Sequence, residues 1–290
     1  MNYPFTGNRE EPGTYAKDHI CQPGVDLTLP DFYQSTQEMV NAVNVALLMN
    51  MPLLLTGEPG SGKTQLAYRV AWELGFKEPL KFETKSTSNA NDLFYIFNTL
   101  ARFHAAQTDE KIHAGAEFIS YQALGEAILL ANKPETVQKI LPKDFQHDGP
   151  KRSLVLIDEI DKAPRDFPND ILNEIENMYF KIPELLMDMD KDNKIVKTPD
   201  AYKPVVIITS NSEKQLPDAF LRRCVFHHVE FPNYDKMTQI ITARLGKLID
   251  NQTEFIDDAL DLFYELRKPD TGLVKKPATS ELLEVGRAHV

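Results

Sequence analysis

The amino-acid sequence predicts a three-layer α/β/α domain with a mainly parallel sheet, followed by a small all-helical domain. Three observations predict this fold class. Continuously apolar runs such as PLLLT (residues 52–56), SLVLIDE (153–159) and PVVIITSN (204–211) are typical of strands buried on both faces of a parallel sheet. Segments with apolar residues at helical spacing alternate with these runs, which favours helices on both faces of the sheet. Beyond residue 232, only helical patterns remain.

The first part of the chain contains an arm and the start of the α/β domain. Residues 1–30, rich in Pro, Gly and charge, predict an irregular N-terminal arm, and the α/β domain is expected to span residues 31–232. Helical spacing begins at Gln37 in QEMVNAVNVALLM, and Pro52 ends that helix before the PLLLT strand. GKTQLAYRVAWELG predicts the next helix, which Gly75 ends, and LKFET predicts a second strand.

Between and after the remaining buried strands, the pattern is mostly helical. We expect helices over NDLFYIFNTLARFHAA (residues 91–106), FISYQALGEAILLAN (118–132) and DFPNDILNEIENMYF (166–180). A short helix over DAFLRRC (218–224) and a last strand over VFHHVEFP (225–232) complete the domain.

Residues 233–290 predict a small helical domain. Its three helices are expected in YDKMTQIITARLGKLI, TEFIDDALDLFYELRK and TSELLEVGRAHV.

Composition and charge narrow the class of protein. Hydrophobic residues make up 42% of the chain and charged residues 26%, as in an ordinary soluble globular protein. The formal net charge of −11 disfavours broad, charge-driven binding of nucleic acid, although a local basic pore in an assembly stays open. Cys21 and Cys224 are too few for a disulfide framework, and no apolar run approaches the ~20 residues of a membrane helix. The N-terminus lacks the apolar core of a secretory signal, so we expect a cytoplasmic protein.

GEPGSGKT, residues 57–64, satisfies the phosphate-binding pattern G-x-x-x-x-G-K-[ST]. It follows a predicted strand and opens a predicted helix, which is the context that the pattern requires. Its glycines let backbone N–H groups point at phosphate oxygens, assisted by the N-terminus of the helix. Lys63 is then placed to reach the β- and γ-phosphates, and the Thr64 hydroxyl is placed to bind Mg²⁺. The alternative is a Gly-rich turn that binds nothing.

LVLIDEID, residues 154–161, is a buried strand that ends in acids. In a nucleoside triphosphatase such a strand delivers an Asp to the Mg²⁺ shell, which predicts this role for Asp158. Glu159 is then placed to polarise the attacking water as a general base. The alternative is that acids end the strand for solubility alone.

PVVIITSN ends in polar residues at the same edge of the sheet, where open α/β folds bind their ligands. The Asn211 amide could hold the water or contact the γ-phosphate. Alternatively, Asn211 only forms the turn after the strand.

Taken together, these motifs resemble those of AAA+ ATPases, which are P-loop nucleoside triphosphatases. GEPGSGKT, LVLIDEID, TSN and the arginine pair in LPDAFLRRC occur in the order and at the spacing of that family. The segments MVNAVNVALLMNMPLLLTGEPGSGKT, ALGEAILLANK, FKIPE and ITSNSEKQLPDAFLRRCVFHHVEFP are similar to the MoxR branch. The resemblance runs from about Asp31 to the C-terminus.

The resemblance implies a ring, usually a hexamer, that binds ATP and Mg²⁺ at its subunit boundaries. An arginine of the neighbouring subunit then completes each site, and the matching positions here are Arg222 and Arg223. One of the pair is expected to be this finger and the other a structural partner. The MoxR branch further implies a protein client, with a von Willebrand factor A domain protein as a possible partner.

The resemblance also identifies the helical domain as a lid, in which the third helix often starts with a sensor arginine. Here Thr279 and Ser280 stand at that start, as an N-cap would. Lys276 or Arg287 are the available substitutes, and the short third helix implies a trimmed lid.

Phe94, Tyr95 and Phe97 follow the second predicted strand, where ring ATPases can expose aromatic residues to a central pore. The alternative, that a helix buries these rings in the core, is favoured because large aromatic side chains are mostly buried.

The sequence thus predicts an ATPase that remodels or matures a partner protein. The alternatives are a nucleic-acid motor such as a restriction-type GTPase subunit and a nucleotide-gated assembly switch. Catalytic roles are expected for Glu159, Asn211, Arg222 and Arg223. The residues expected to bind nucleotide or Mg²⁺ are Gly57, Glu58, Pro59, Gly60, Ser61, Gly62, Lys63, Thr64 and Asp158.

Overall fold

A computed structural model describes residues 29–107, 115–185, 195–245, 253–273 and 275–288 of the chain. The predicted arm therefore lies almost wholly outside the described residues.

The described strands form one central sheet and two small hairpin-like pairs. Their bounds are β1 (Leu53–Thr56), β2 (Leu80–Glu83), β3 (Tyr95–Phe97), β4 (Ile119–Tyr121), β5 (Leu154–Asp158), β6 (Tyr179–Lys181), β7 (Ile195–Lys197), β8 (Val205–Ser210) and β9 (Val225–His228). The central sheet has the order β2-β5-β8-β1-β9, and all of its pairs are parallel. All five of its strands were predicted from the sequence, and parallel pairing brings their carboxyl ends to one edge.

Helices cover both faces of this sheet, and three more helices form the end of the chain. The helices of the described residues are α1 (Gln37–Met49), α2 (Lys63–Glu73), α3 (Thr99–Gln107), α4 (Ala123–Ala131), α5 (Pro134–Val137), α6 (Phe167–Asp170), α7 (Leu172–Asn177), α8 (Asp218–Leu221), α9 (Tyr234–Leu245), α10 (Thr253–Leu266) and α11 (Thr279–Ala288). The first of these starts where predicted because the Thr36 hydroxyl caps it by accepting from the N–H of Met39 at 3.3 Å.

Alternating strand side chains build two separate cores, as a sheet buried on both faces requires. On one face, α1 and α2 pack over Leu53, Leu55, Leu154, Leu156 and Ile207. On the other face, α4, α6 and α7 pack over Leu54, Val155, Ile157, Val206 and Ile208. The predicted three-layer α/β/α architecture is confirmed.

The prediction of one helix over residues 91–106 was wrong. A 3₁₀ turn (Ala90–Leu93) leads into β3, and only α3 is helical. The prediction over residues 118–132 was wrong in its first half, where β4 precedes α4. Antiparallel pairing of β3 with β4, which are far apart in sequence, overrides the local helical spacing.

The same pairing decides where the aromatic residues go. Phe94 and Tyr95 are almost completely buried, with 3% and 4% of their surface exposed, and both rings pack on Phe180. Burial was the favoured alternative, although a strand rather than a helix achieves it. A substrate-gripping role for these two rings is therefore not supported.

The predicted single helix over residues 166–180 is two short helices and a strand. Ile171 separates α6 from α7, and Met178 ends α7 in a left-handed conformation with a φ angle of 48°. The chain then enters β6, whose antiparallel partner β7 comes later in the chain. The helical spacing within residues 166–180 therefore gave no sign of this strand.

The three helices at the end of the chain form a core of their own. Met237 and Ile241 from α9, Leu260 and Phe263 from α10, and Leu282 from α11 make up its buried centre. Among the described helices, none combines the length and the apolar character that crossing a membrane requires.

Candidate functional site

The GEPGSGKT loop joins β1 to α2 and depends on three glycines. Their φ angles are 145° at Gly57, 80° at Gly60 and 91° at Gly62, which residues with side chains rarely adopt. A Cβ atom on Gly57 would also lie 2.3 Å from the carbonyl oxygen of Val229. The loop therefore curls tightly at the N-terminus of α2, where the first N–H groups of the helix are free to bind an anion.

The side chain of Lys63 is folded back into this loop. Its ammonium donates to the carbonyl oxygens of Gly57 and Glu58, each at 2.8 Å, and only 5% of the residue is exposed. Burial lowers the pKa of Lys63, and the Asp161 and Asp158 carboxylates oppose that shift. A buried cation thus lies inside the loop with acids around it.

Asp158, at the end of β5, lies beside the loop. Its Oδ1 atom accepts from the hydroxyls of Thr64 at 2.9 Å and Thr209 at 2.6 Å. Its Oδ2 atom lies 3.1 Å from the Lys81 ammonium. Thr209 also accepts from the backbone N–H of Glu159 at 2.8 Å, so one hydroxyl connects both acids.

Glu159 turns its carboxylate towards the end of β8. Its backbone is left-handed, with a φ angle of 56°, which is uncommon for a residue with a side chain. Asn211 donates its amide to Glu159 Oε1 at 3.1 Å, and the Lys162 ammonium pairs with Oε2. Asp161 accepts from the backbone N–H groups of Asn211 at 3.1 Å and Glu213 at 3.0 Å, which fixes the two turns against each other.

A cavity of about 960 Å³ opens in front of these residues. Residues 59–64 of the loop, Glu159, Thr209 and Asn211 line it, together with residues from the segments 32–39, 230–244 and 279–283. The Ser61 hydroxyl is buried and has no hydrogen-bond partner among the described residues. A bound phosphate would satisfy it.

The donor set beside this cavity fits Mg²⁺. The Thr64 hydroxyl and the Asp158 carboxylate meet there, and hard oxygen ligands are what this cation prefers. The described residues contain no group of three or more His, Cys, Asp or Glu side chains that could hold a metal ion. The site therefore fits a cation that takes its other ligands from phosphate oxygens and water.

The predicted arginine pair lies away from the cavity, since neither side chain lines it. Arg223 donates to the Glu176 carboxylate at 3.0 Å and to the Ala219 carbonyl oxygen at 3.1 Å. Arg222 is exposed, and its side chain makes no hydrogen bond or ion pair with a described residue. Arg223 is therefore the internally paired one of the two.

The candidate substitutes for a sensor arginine do not meet the site in the described residues. Lys276 is exposed and does not line the cavity, and the side chain of Arg287 lies outside the described part. Thr279 and Ser280 do line the cavity, at the start of α11.

Sequence reasoning missed several residues of the site. Thr209, Asp161 and Lys81 all contact the predicted residues directly. Thr209 and Asp161 belong to the TSN and LVLIDEID motifs, so the sequence already placed them next to the predicted residues. Lys81 became apparent only from the pairing of β2 with β5.

The fold and this loop define a P-loop nucleotide-binding α/β protein. A family model described as "ATPase family associated with various cellular activities (AAA)" matches residues 53–233, which is more than half of the chain. The chain belongs to this AAA family of ATPases.

A solved structure and the curated proteins show less similarity to this chain than the family model does. A solved structure titled "Closed State CryoEM Reconstruction of Hsp104:ATPyS and FITC casein" is similar with a TM-score of 0.45 and 16% identity. The similarity covers 91% of this chain but only 43% of the Hsp104 chain, so this chain spans less than half the length of that relative. No curated protein matches the chain at a significant level.

Proposed function

We propose that this chain is a Mg²⁺-dependent ATPase of the MoxR branch, which couples ATP hydrolysis in a ring of subunits to the remodelling or maturation of a partner protein. One observation carries the ATPase part of the proposal. The Thr64 hydroxyl donates to the Asp158 carboxylate although the two residues are 94 positions apart, and Thr64 and Lys63 both line the cavity.

The loop and Lys63 would hold the triphosphate. Lys63 already lies among backbone carbonyl oxygens, which it can leave for a phosphate because its three N–H groups rotate freely. The residues of the loop that would surround the phosphates are Gly57, Glu58, Pro59, Gly60, Ser61, Gly62 and Thr64.

Thr64 and Asp158 would hold Mg²⁺. When bound, this cation neutralises charge that develops on the phosphate oxygens. Thr209 and Lys81 keep the Asp158 carboxylate in place from the side of the protein.

Glu159 would accept the proton of the attacking water. Asn211 and Lys162 hold its two carboxylate oxygens in a defined orientation. The hydrogen bond to Glu159 raises the pKa of Lys162, so a positive charge stays beside this carboxylate. Such an oriented carboxylate is suited to general-base catalysis.

Arg222 would act in a neighbouring subunit, because in this chain it is exposed and remote from its own cavity. A planar, permanently charged guanidinium suits the charge of the transition state. The resemblance to the MoxR branch supports a hexameric ring in the cytoplasm and a protein client, with a von Willebrand factor A domain protein as a candidate partner.

The variant Glu159→Gln tests the catalytic assignment. We expect it to bind ATP as tightly as the wild type while turnover falls by about a hundredfold or more, because the amide cannot accept the proton. Glu135→Gln, an exposed carboxylate on α5, is the matched control and should leave turnover unchanged. Unchanged hydrolysis in Glu159→Gln would refute the assignment.

Turnover with ATP and with GTP, each with and without DNA, tests the class of function. ATP turnover that DNA does not stimulate supports a remodelling ATPase. GTP turnover stimulated by DNA would instead establish the nucleic-acid motor.

A further inference from the structure

The helices α9, α10 and α11 form a helical tail. Its third helix, α11, starts in direct contact with the phosphate loop, residues 57–64. The hydroxyl of Thr279 donates to the carbonyl oxygen of Gly60 at 2.9 Å. A Cβ atom on Gly60 would lie only 2.7 Å from the Cβ atom of Ala278, so the two backbones approach as closely as a glycine allows. The loop and the start of α11 therefore pack directly against each other.

Arg267, just after α10, links the same two regions through its charge. Its guanidinium pairs with the carboxylate of Glu58 in the phosphate loop and also donates to the carbonyl oxygen of Pro277, just before α11. The group lies over the ring of Phe231, 3.4 Å from its centroid. Only 10% of the Arg267 side chain is exposed, compared with 54% for Glu58.

These contacts require an arginine. A planar guanidinium can stack on Phe231 and donate in its own plane to Glu58 and Pro277 at the same time, and an ammonium cannot. The carbonyl contact joins Arg267 to the start of α11 and the stacking joins it to Phe231, just before α9. Glu58 is its one described contact with the phosphate loop.

The position of this link matters for access to the cavity. The loop, residues of α9 and the start of α11 all line the cavity. Any movement that separates the start of α11 from the loop must break the Thr279–Gly60 hydrogen bond, and one that also moves the end of α10 must break the Arg267–Glu58 pair.

We propose that Arg267 is a positioning residue that ties the helical tail to Glu58 of the phosphate loop and thereby slows the release of bound nucleotide. The inference rests on the proposed function, since it assumes that the cavity holds a nucleotide. Arg267 would thus act on the phosphate loop from the end of α10, whereas no arginine stands at the start of α11.

A double-mutant cycle on nucleotide release tests this link. The variants are Glu58→Gln, Arg267→Lys and the double variant, and the readout is the dissociation rate of a fluorescent ADP analogue in stopped flow. For a partly exposed ion pair, we expect Glu58→Gln to speed release about threefold. Arg267→Lys should do so at least as much, and the double variant should release no faster than the faster single variant.

Glu265→Gln is the matched control, because it breaks an exposed pair with Lys268 near the same end of α10 without touching the loop. Its release rate should equal that of the wild type. If Glu58→Gln speeds release by the same factor in the Arg267→Lys background as in the wild-type background, then Glu58 acts on the nucleotide directly and the inference is wrong. Unchanged release in both single variants would also overturn it.

Hydrogen exchange of the nucleotide-free protein separates this inference from the proposed function. Amides of residues 278–283 should exchange faster in Glu58→Gln than in Glu265→Gln, with both variants unfolding at the temperature of the wild type. If the wild type binds no nucleotide, the proposed function is wrong. Hydrogen exchange then still tests whether the Arg267–Glu58 pair links the helical tail to the loop. Equal exchange in the two variants would show that it does not.

Discussion

At the scale of single residues, Thr209 connects the parts of the candidate site. Its side chain donates to Asp158 and accepts from the N–H of Glu159, which continues into the left-handed turn. One percent of the residue is exposed. This one oxygen atom therefore helps to position both acids, together with Lys81 at Asp158 and Asn211 at Glu159.

Replacing Thr209 by its isostere Val should lower ATP turnover by about 10- to 100-fold, because misplaced reacting groups cost rates of that order. Thr209→Ser, which keeps the hydroxyl, should stay within roughly threefold of the wild type. Steady-state turnover with a Mg²⁺ titration measures both effects. Normal turnover in Thr209→Val together with a loss in Thr209→Ser would mean that the methyl packing matters and the hydrogen bonds do not.

The residues of the phosphate loop could be predicted because their pattern specifies both a tight glycine turn and the start of a helix. The role of Thr209 could not be predicted in the same way. It depends on the register of β5 against β8, in which Ile157 pairs with Ile208, and a shift of one residue would turn the hydroxyl to the opposite face. Glu58 presents the same difficulty, because its partner Arg267 is 209 residues away.

At the scale of elements, the strands of the central sheet could be predicted from the sequence, whereas the short strands β3 and β6 could not. Continuously apolar runs such as β5 and β8 have only one reasonable position, in the middle of a parallel sheet. The strands β3 and β6 are three residues each and contain aromatic residues that also suit helices. Only their distant antiparallel partners make them strands.

The packing of α4 on Phe94, just before β3, depends on a glycine. A Cβ atom on Gly125 would lie 1.9 Å from the carbonyl oxygen of Phe94, which is backbone and cannot rotate away. Ala normally stabilises a helix relative to Gly by up to about 1 kcal/mol. Here Gly125→Ala should instead lower the free energy of unfolding by about 1–3 kcal/mol because of overpacking.

Urea unfolding measures this effect, and Gly115→Ala is its control. A Cβ atom on Gly115 meets only the end of the Leu185 side chain, at 3.0 Å, which can move. Gly115→Ala should therefore cost less than Gly125→Ala. A Gly125→Ala variant as stable as the wild type would show that α4 can shift away from Phe94.

At the scale of the whole molecule, the exposed Arg222 does not line the cavity of its own chain, whereas residues of α9 and α11 do. In the proposed function, Arg222 would complete the site of a neighbouring subunit in a ring.

The arginine pair provides the test at this scale. Arg222→Ala should lower turnover by about a hundredfold or more while ATP binding is retained, because a finger acts on the transition state. Arg223→Ala removes an exposed pair with Glu176 and should change turnover little. Turnover per subunit, measured against subunit concentration, should rise with assembly in the wild type. A full loss in Arg223→Ala with normal activity in Arg222→Ala would reverse the assignment.

The most direct test of the central claim is an experimental structure with Mg²⁺ and a non-hydrolysable ATP analogue bound. We expect the phosphates to lie on the N–H groups of residues 60–64, with Lys63 turned onto them and Mg²⁺ next to Thr64 and Asp158. Phosphates bound anywhere else, or a metal ion remote from Asp158, would contradict the account.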